Sequence, residues 1–263
     1  METNINKVKG VGMGQKIAFG FGMLANQMFP AALGVFIIVL VQDLGFAALL
    51  WGIIQFAPRI FDAITDPLMG FISDNTKSKW GRRRQYVFIG GIIMGIAYVA
   101  MWQLYEDDGV LYNFIYFFSW SLVFYLGLTI FSVPYVAMGY EISDDFHERT
   151  QIMAIAQFIG QWAWVIAPWF WVILYDPAWF PDGAGQGVRD LSVWVAIPCT
   201  IFALIPAIFI KSKSTKDRTD FVPINANYIL RSVKGIFVSA FEAFKIKQCK
   251  KIAFATFLIF NSF

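Results

Sequence analysis

Histidine and cysteine are nearly absent from this chain: its 263 residues include one His and two Cys. The lone imidazole, His147, is read as a loop residue. No zinc-ligand spacing and no activated-nucleophile pattern accompanies it, so an enzyme is not expected and no cofactor is implied. Cys199 falls in an apolar run and Cys249 in a basic segment, so neither membrane burial nor a reducing compartment favours a disulfide. The first fifteen residues are polar and lack a cleavage pattern, which argues against a removed signal peptide.

What the chain has instead is apolar surface. Hydrophobic residues make up 58% and aromatics 18% of it, against about 45–50% apolar in an ordinary soluble domain. Six apolar runs, Ile17 to Val41, Leu49 to Ile72, Tyr86 to Leu104, Tyr112 to Met138, Ile152 to Tyr175 and Ser192 to Ile210, are each long enough to cross about 30 Å of hydrocarbon as a helix. An all-α integral membrane protein is expected. Short connections such as Gln42 to Ala48 make neighbouring helices antiparallel, so residues 1–210 read as one six-helix bundle.

Residues 211–250 read as a cytoplasmic middle segment. Its first part is charged, and Tyr228 to Phe244 spaces Ile229, Val233, Ile236, Phe237, Ala240 and Phe244 as an amphipathic helix for the inner leaflet. Residues 251–263 read as the start of a seventh span, too short for the roughly 20 residues a crossing needs. A six-helix unit, a basic connector and the beginning of another span together suggest the first half of a twelve-helix transporter, cut within helix seven.

Basic residues set the expected orientation. Placing both termini and alternate loops on one side gathers nineteen of the 21 Lys and Arg there. Arg189 lies in an opposite-side loop, and Arg59 lies inside the second apolar run. The N-terminus is therefore expected to be cytoplasmic, in a plasma or inner membrane. Topology accounts for the net charge of +3, and nucleic acid needs no place in the argument.

Arg59, Asp62 and Asp66 interrupt the second run. An ionisable residue at the centre of a membrane helix costs about 2.5–3.5 kcal/mol on insertion scales, and a Leu or Phe returns only about 0.3–0.6. At about 100° per residue the three side chains fall within an arc of roughly 80°, on one helix face. A structural Arg59–Asp62 ion pair accounts for one carboxylate and leaves the other requiring a proton or a metal cation. Oxygen ligands suit small hard cations, so Asp62 and Asp66 with the Thr65 hydroxyl read as a site for Na⁺, Li⁺ or H⁺.

The run RIFDAITDPLMGFISDNTKSKWGRRR, from Arg59 to Arg84, resembles the signature of the glycoside-pentoside-hexuronide:cation symporters, the melibiose-permease-like branch of the major facilitator superfamily. The stretches Lys16 to Gln27, Thr129 to Met138 and Gly139 to Gln151 carry the same resemblance. It implies cation-coupled symport of a sugar or glycoside by alternating access. It also implies a cation held by Asp62, Asp66 and Thr129, with Thr65 where that family places an asparagine and with Arg59 balancing charge.

The family's acidic and basic sugar-binding positions are occupied here by Gln27, Ser132 and Gln157, which leaves a neutral hydrogen-bonding pocket. Asn26, Gln161 and Trp164 complete the expected substrate set, with Trp164 offering a flat face to a pyranose ring. A related carrier of an amphiphile or other organic solute is the alternative, and a non-transporting sensor is another. Asp74, Arg82 and Arg83, with Glu141 and Arg149 across the loop, resemble charge pairs that gate such transporters. The expected partners are the lipid bilayer, a small-molecule substrate and a second, C-terminal six-helix half.

Overall fold

The computed structural model describes residues 10–210 and 245–260, with Gly235, Val238 and Glu242 between them. The expected amphipathic helix from Tyr228 to Phe244 otherwise lies outside the described residues. Among these residues every regular element is helical: α1 (Met13–Gln42), α2 (Ala48–Asp74), α3 (Arg84–Met101), a 3-10 turn (Glu106–Asp108), α4 (Val110–Glu141), α5 (Phe146–Leu174), α6 (Ala184–Phe209) and α7 (Lys247–Phe260).

Five helices, α1 and α3 to α6, are long and apolar enough to cross a membrane. Five of the six apolar runs are matched this way; the run that falls outside the set is α2, 27 residues long and carrying Arg59, Asp62 and Asp66. Prolines sit within α1, α2, α4, α5 and α6, as membrane helices tolerate when neighbouring groups re-satisfy the freed carbonyls.

The helices pack side by side in the order α2, α4, α3, α6, α1, α5. The inner four share one core of large side chains, among them Phe29, Phe36, Tyr98, Trp102 and Phe124. The outer two are attached mainly through a single neighbour each, α2 through α4 and α5 through α1. Both carry exposed apolar residues, such as Phe56 and Ile60 on α2 and Phe158 and Trp169 on α5. An apolar exterior of this extent is a surface for lipid or for further protein.

Where α3 crosses α4 the backbones nearly touch. A Cβ on Gly90 would collide with the backbone of Phe131, and one on Gly127 would lie 2.7 Å from the Met94 nitrogen. Small residues allow such approach where lipid removes the hydrophobic drive between helices. Before α3, Gly81 has φ of 92° and turns the chain back into the bundle, a conformation open to glycine at no steric cost.

Four boundaries differ from the sequence reading. The sixth helix starts at Ala184 rather than Ser192, so Arg189 and Asp190 are helical. His147 is the second residue of α5 rather than a loop residue. Between the apolar runs that end at Met138 and start at Ile152, α4 continues to Glu141 and α5 already begins at Phe146. The last helix starts at Lys247, ahead of the apolar run. In each case backbone hydrogen bonding continues through charged residues that lower local hydropathy.

Gly127→Val is expected to lower stability by about 1–3 kcal/mol, because the added methyls meet backbone that cannot yield. Thermal unfolding of the purified protein in detergent measures it. Gly34→Ala, whose Cβ meets nothing within 4 Å, should leave the transition nearly unmoved.

Candidate functional site

α2 delivers its charged stripe to α4. The Thr129 hydroxyl donates to Asp66 Oδ1 at 2.8 Å, and the Thr65 and Thr129 hydroxyls lie 3.4 Å apart. Thr65 also donates to the Phe61 carbonyl one turn back on its own helix. Asp66 is exposed and Asp62 half-buried. Asp62 Oδ1 is buried with no hydrogen-bond partner among the described residues. Arg59 is exposed and makes no ion pair within 4 Å among the described residues, so the structural Arg59–Asp62 pair is not formed.

These groups supply two carboxylates and two hydroxyls, all oxygen donors. A buried carboxylate oxygen without a donor carries a desolvation cost that a cation relieves. The donor set fits a small hard cation and lacks the nitrogen or sulfur ligands of a transition-metal centre.

A second polar cluster joins α1 to α5. Gln27 Nε2 donates to Gln157 Oε1 at 2.9 Å, and the Trp164 indole N–H donates to Gln27 Oε1 at 2.7 Å. Gly160 makes room for it: a Cβ there would lie 2.6 Å from Met23 Cγ and 3.4 Å from Gln27 Nε2. Gln157, Gln161 and Trp164 are exposed along one side of α5. Asn26 stands apart, its amide directed at the Met23 sulfur on its own helix at 4.0 Å. Ser132 is half-buried on α4, one turn beyond Thr129, and no hydrogen bond from its side chain reaches the α1–α5 cluster among the described residues.

Compared with known proteins, residues 18–228 match the family model described as MFS/sugar transport protein. The chain belongs to this family. It is 28% identical to an uncharacterised symporter of Synechocystis over 69% of the chain and 34% of that protein. It is 24% identical to a lactose permease of Lactobacillus helveticus over 88% of the chain and 38% of that protein. A sodium-dependent lysophosphatidylcholine symporter of Xenopus tropicalis is 32% identical over 51% of the chain and 26% of its own length. The chain thus spans about a third of the length of these curated relatives.

In this sugar-transport family member, one end of the bundle is fastened by charge. Arg83 is buried and donates to Asp74 Oδ1 at 2.5 Å and to the Ala137 carbonyl at 2.7 Å, with Glu141 2.9 Å away. Arg82 pairs with the same Glu141. The four residues Asp74, Arg82, Arg83 and Glu141 therefore meet where α2, α3 and α4 converge. Arg149 does not join them. It lies one turn into α5 beside a cavity of about 550 Å³.

Two further fastenings were not foreseen from sequence. Arg84 donates to the carbonyls of Ala207 and Ile208 at the end of α6, satisfying acceptors the helix cannot satisfy itself. Glu148 accepts from the Val11 backbone N–H at 2.5 Å and from Ser143, and lies 3.8 Å from the buried Lys16. The local part of this cluster has a sequence signal: Asp145 caps α5 by accepting from the Glu148 N–H, the Asp-x-x-Glu pattern of a capping box. Its long-range part, to Val11 and Lys16, has none.

Arg83→Gln should strip Asp74 and Glu141 of their shared cation. The expected loss is about 2 kcal/mol, less than for a fully buried pair because both acids are partly exposed. Glu141→Gln, which leaves the Asp74 contact in place, should cost less, and thermal unfolding of both variants checks the order.

Proposed function

We propose that this protein is the N-terminal bundle of a cation-coupled symporter that carries a sugar or glycoside across the cytoplasmic membrane by alternating access. The observation that carries the reading is the buried Asp62 Oδ1, without a hydrogen-bond partner among the described residues and one helical turn before the Asp66 carboxylate that Thr129 bonds and Thr65 adjoins. Na⁺ or H⁺ is cargo at that site. Either one neutralises a carboxylate whose charge is costly in membrane surroundings, and Arg59 balances the acids when the cation leaves.

The substrate site on this reading is the neutral face of Gln27, Gln157, Gln161 and Trp164, with Asn26 and Ser132 nearby. Amides donate and accept toward hydroxyl groups without favouring a charged solute. Cation and substrate bind the same conformation of this bundle and a second one, so each raises the other's affinity, typically by about 1–3 kcal/mol of coupling. The charge contacts of Asp74, Arg82, Arg83 and Glu141 break and re-form as that conformation changes. The basic end of the bundle, with the N-terminus, faces the cytoplasm.

A second reading, transport of an amphiphile, has its own support. The cavity beside Arg149 is lined by Tyr140, Phe146, Met153 and Ala154 and reaches Gln157, an apolar surface with a guanidinium at its margin. One of the relatives is named for lysophosphatidylcholine.

Uptake into membrane vesicles by the protein as encoded separates these readings, using a panel of pentoses, hexoses, uronates and lysolipids. Accumulation of a sugar against its gradient is the expected result. An Asp62→Ala, Asp66→Ala double variant should bring the internal concentration down to the external one. A variant that still concentrates substrate like the parent rules out coupling through this site.

A further inference from the structure

α2 and α4 run in the same direction and meet in a regular ladder. Asp66 is bonded to Thr129. One turn on, a Cβ at Gly70 would lie 3.7 Å from Val133 Cγ1. One turn further, Arg83 bridges the Asp74 carboxylate and the Ala137 carbonyl. Each rung pairs a residue of α2 with the residue 63 positions later, and successive rungs are four residues apart on both helices, about 6 Å of rise.

The same register continued in the other direction sets Asp62 against Tyr125. Two observations meet at this rung. Asp62 Oδ1 is the buried oxygen without a hydrogen-bond partner, and the half-buried Tyr125 has a hydroxyl with no hydrogen-bond partner among the described residues. The phenol also lies within electrostatic reach of both Arg59 and Asp62.

We propose that Tyr125 is a further residue of the cation site, presenting its hydroxyl oxygen to a small metal cation held by Asp62 and Asp66. The inference rests on the functional reading above and extends its donor set by one neutral oxygen on the α4 side. Neutral oxygens complete the shell of a hard cation whose charge the carboxylates have already met, and a phenol oxygen has acceptor capacity for this. The ring keeps the oxygen in place through its packing against Phe124, 5.4 Å between centroids. Tyr125 and Thr129, four apart, thus present two hydroxyls from one face of α4 to Asp62 and Asp66, four apart on α2.

The test needs no transported substrate. A cation that binds the folded state stabilises it by RT ln(1 + [L]/Kd), so the unfolding temperature rises with free cation concentration and its dependence on concentration yields Kd. The purified protein in detergent is titrated with NaCl and with LiCl at fixed pH, holding ionic strength with choline chloride. The parent is expected to be stabilised by at least one of the two salts, and Asp62→Asn to lose that response.

Tyr125→Phe should keep a folded protein and raise the Kd fitted from the titration, which is the midpoint of cation occupancy, about three- to tenfold, as for loss of one neutral polar contact. Tyr116→Phe on the same helix is the control and should titrate like the parent. An unchanged midpoint in Tyr125→Phe overturns the proposal while leaving the Asp62 site intact. A parent indifferent to both Na⁺ and Li⁺ also overturns it, and leaves proton-coupled transport to be decided by the vesicle experiment. Should Tyr125→Phe fail to fold, Tyr125→Trp takes its place, and a parent-like midpoint there overturns the proposal equally.

Discussion

The seam between α2 and α4 is the constraint on which the molecule turns. α2 carries Arg59, Asp62 and Asp66 and buries only Ile54, Pro58, Met69 and Ser73, so little apolar packing holds it. In lipid that packing would in any case gain little, since hydrocarbon is as apolar as the neighbouring helix. Beside the core packing of Ile54, α2 is joined to the bundle by polar contacts: Thr129 to Asp66, Thr65 beside Thr129, and Arg83 across Asp74 and Ala137. The groups suited to a cation are thus also the groups that position the helix. Any change in the charge state of the acids is felt directly by the contact between two helices.

The polar surface is distributed accordingly. The inner helices α1, α3, α4 and α6 spend their side chains on a shared aromatic core, in which Phe29, Tyr98 and Phe124 contact one another edge to face or tilted. Exposed polar groups belong mainly to the flanking pair, Arg59 and Asp66 on α2 and Gln157 and Gln161 on α5. Each flanking helix meets its inner neighbour through hydrogen bonds at mid-span and again at the Arg83 or Glu148 cluster near one end. The bundle thus combines an apolar inner core with outer members joined in part by hydrogen bonds.

Much of this was legible because hydropathy reports burial in lipid directly. The apolar runs located six helices, and the four-residue spacing of Asp62 and Asp66 announced a shared face. The start of α6 was not legible, because Arg189 and Asp190 suppress hydropathy in a segment where the helix nonetheless continues. Arg189 finds the Leu104 carbonyl and the Tyr105 ring there, partners 84 or more positions away in sequence. Thr129 entered the site through family resemblance, and its bond to Asp66 depends on the register of two helices that no local pattern encodes. The Glu148 cluster was hidden for the same reason. Gln27 and Gln157 likewise entered through family resemblance, and their direct bond, with Trp164 donating to Gln27, depends on the register of α1 and α5.

The two polar clusters differ in what they leave unsatisfied, and that difference separates support from binding capacity. Gln27 donates to Gln157 and accepts from Trp164, so both ends of its amide are engaged. A hydroxylated ligand entering there exchanges existing hydrogen bonds for new ones, a trade whose net gain is small per bond. Asp62 has a buried oxygen with nothing to exchange, so a cation arriving there meets an outstanding electrostatic need rather than displacing a partner. Free energy available for shifting a conformation comes from differential interaction, and the larger difference lies with the acids. On the proposed reading the amides would shape what fits between α1 and α5, and the carboxylates on α2 would hold the stronger lever on how the helices sit.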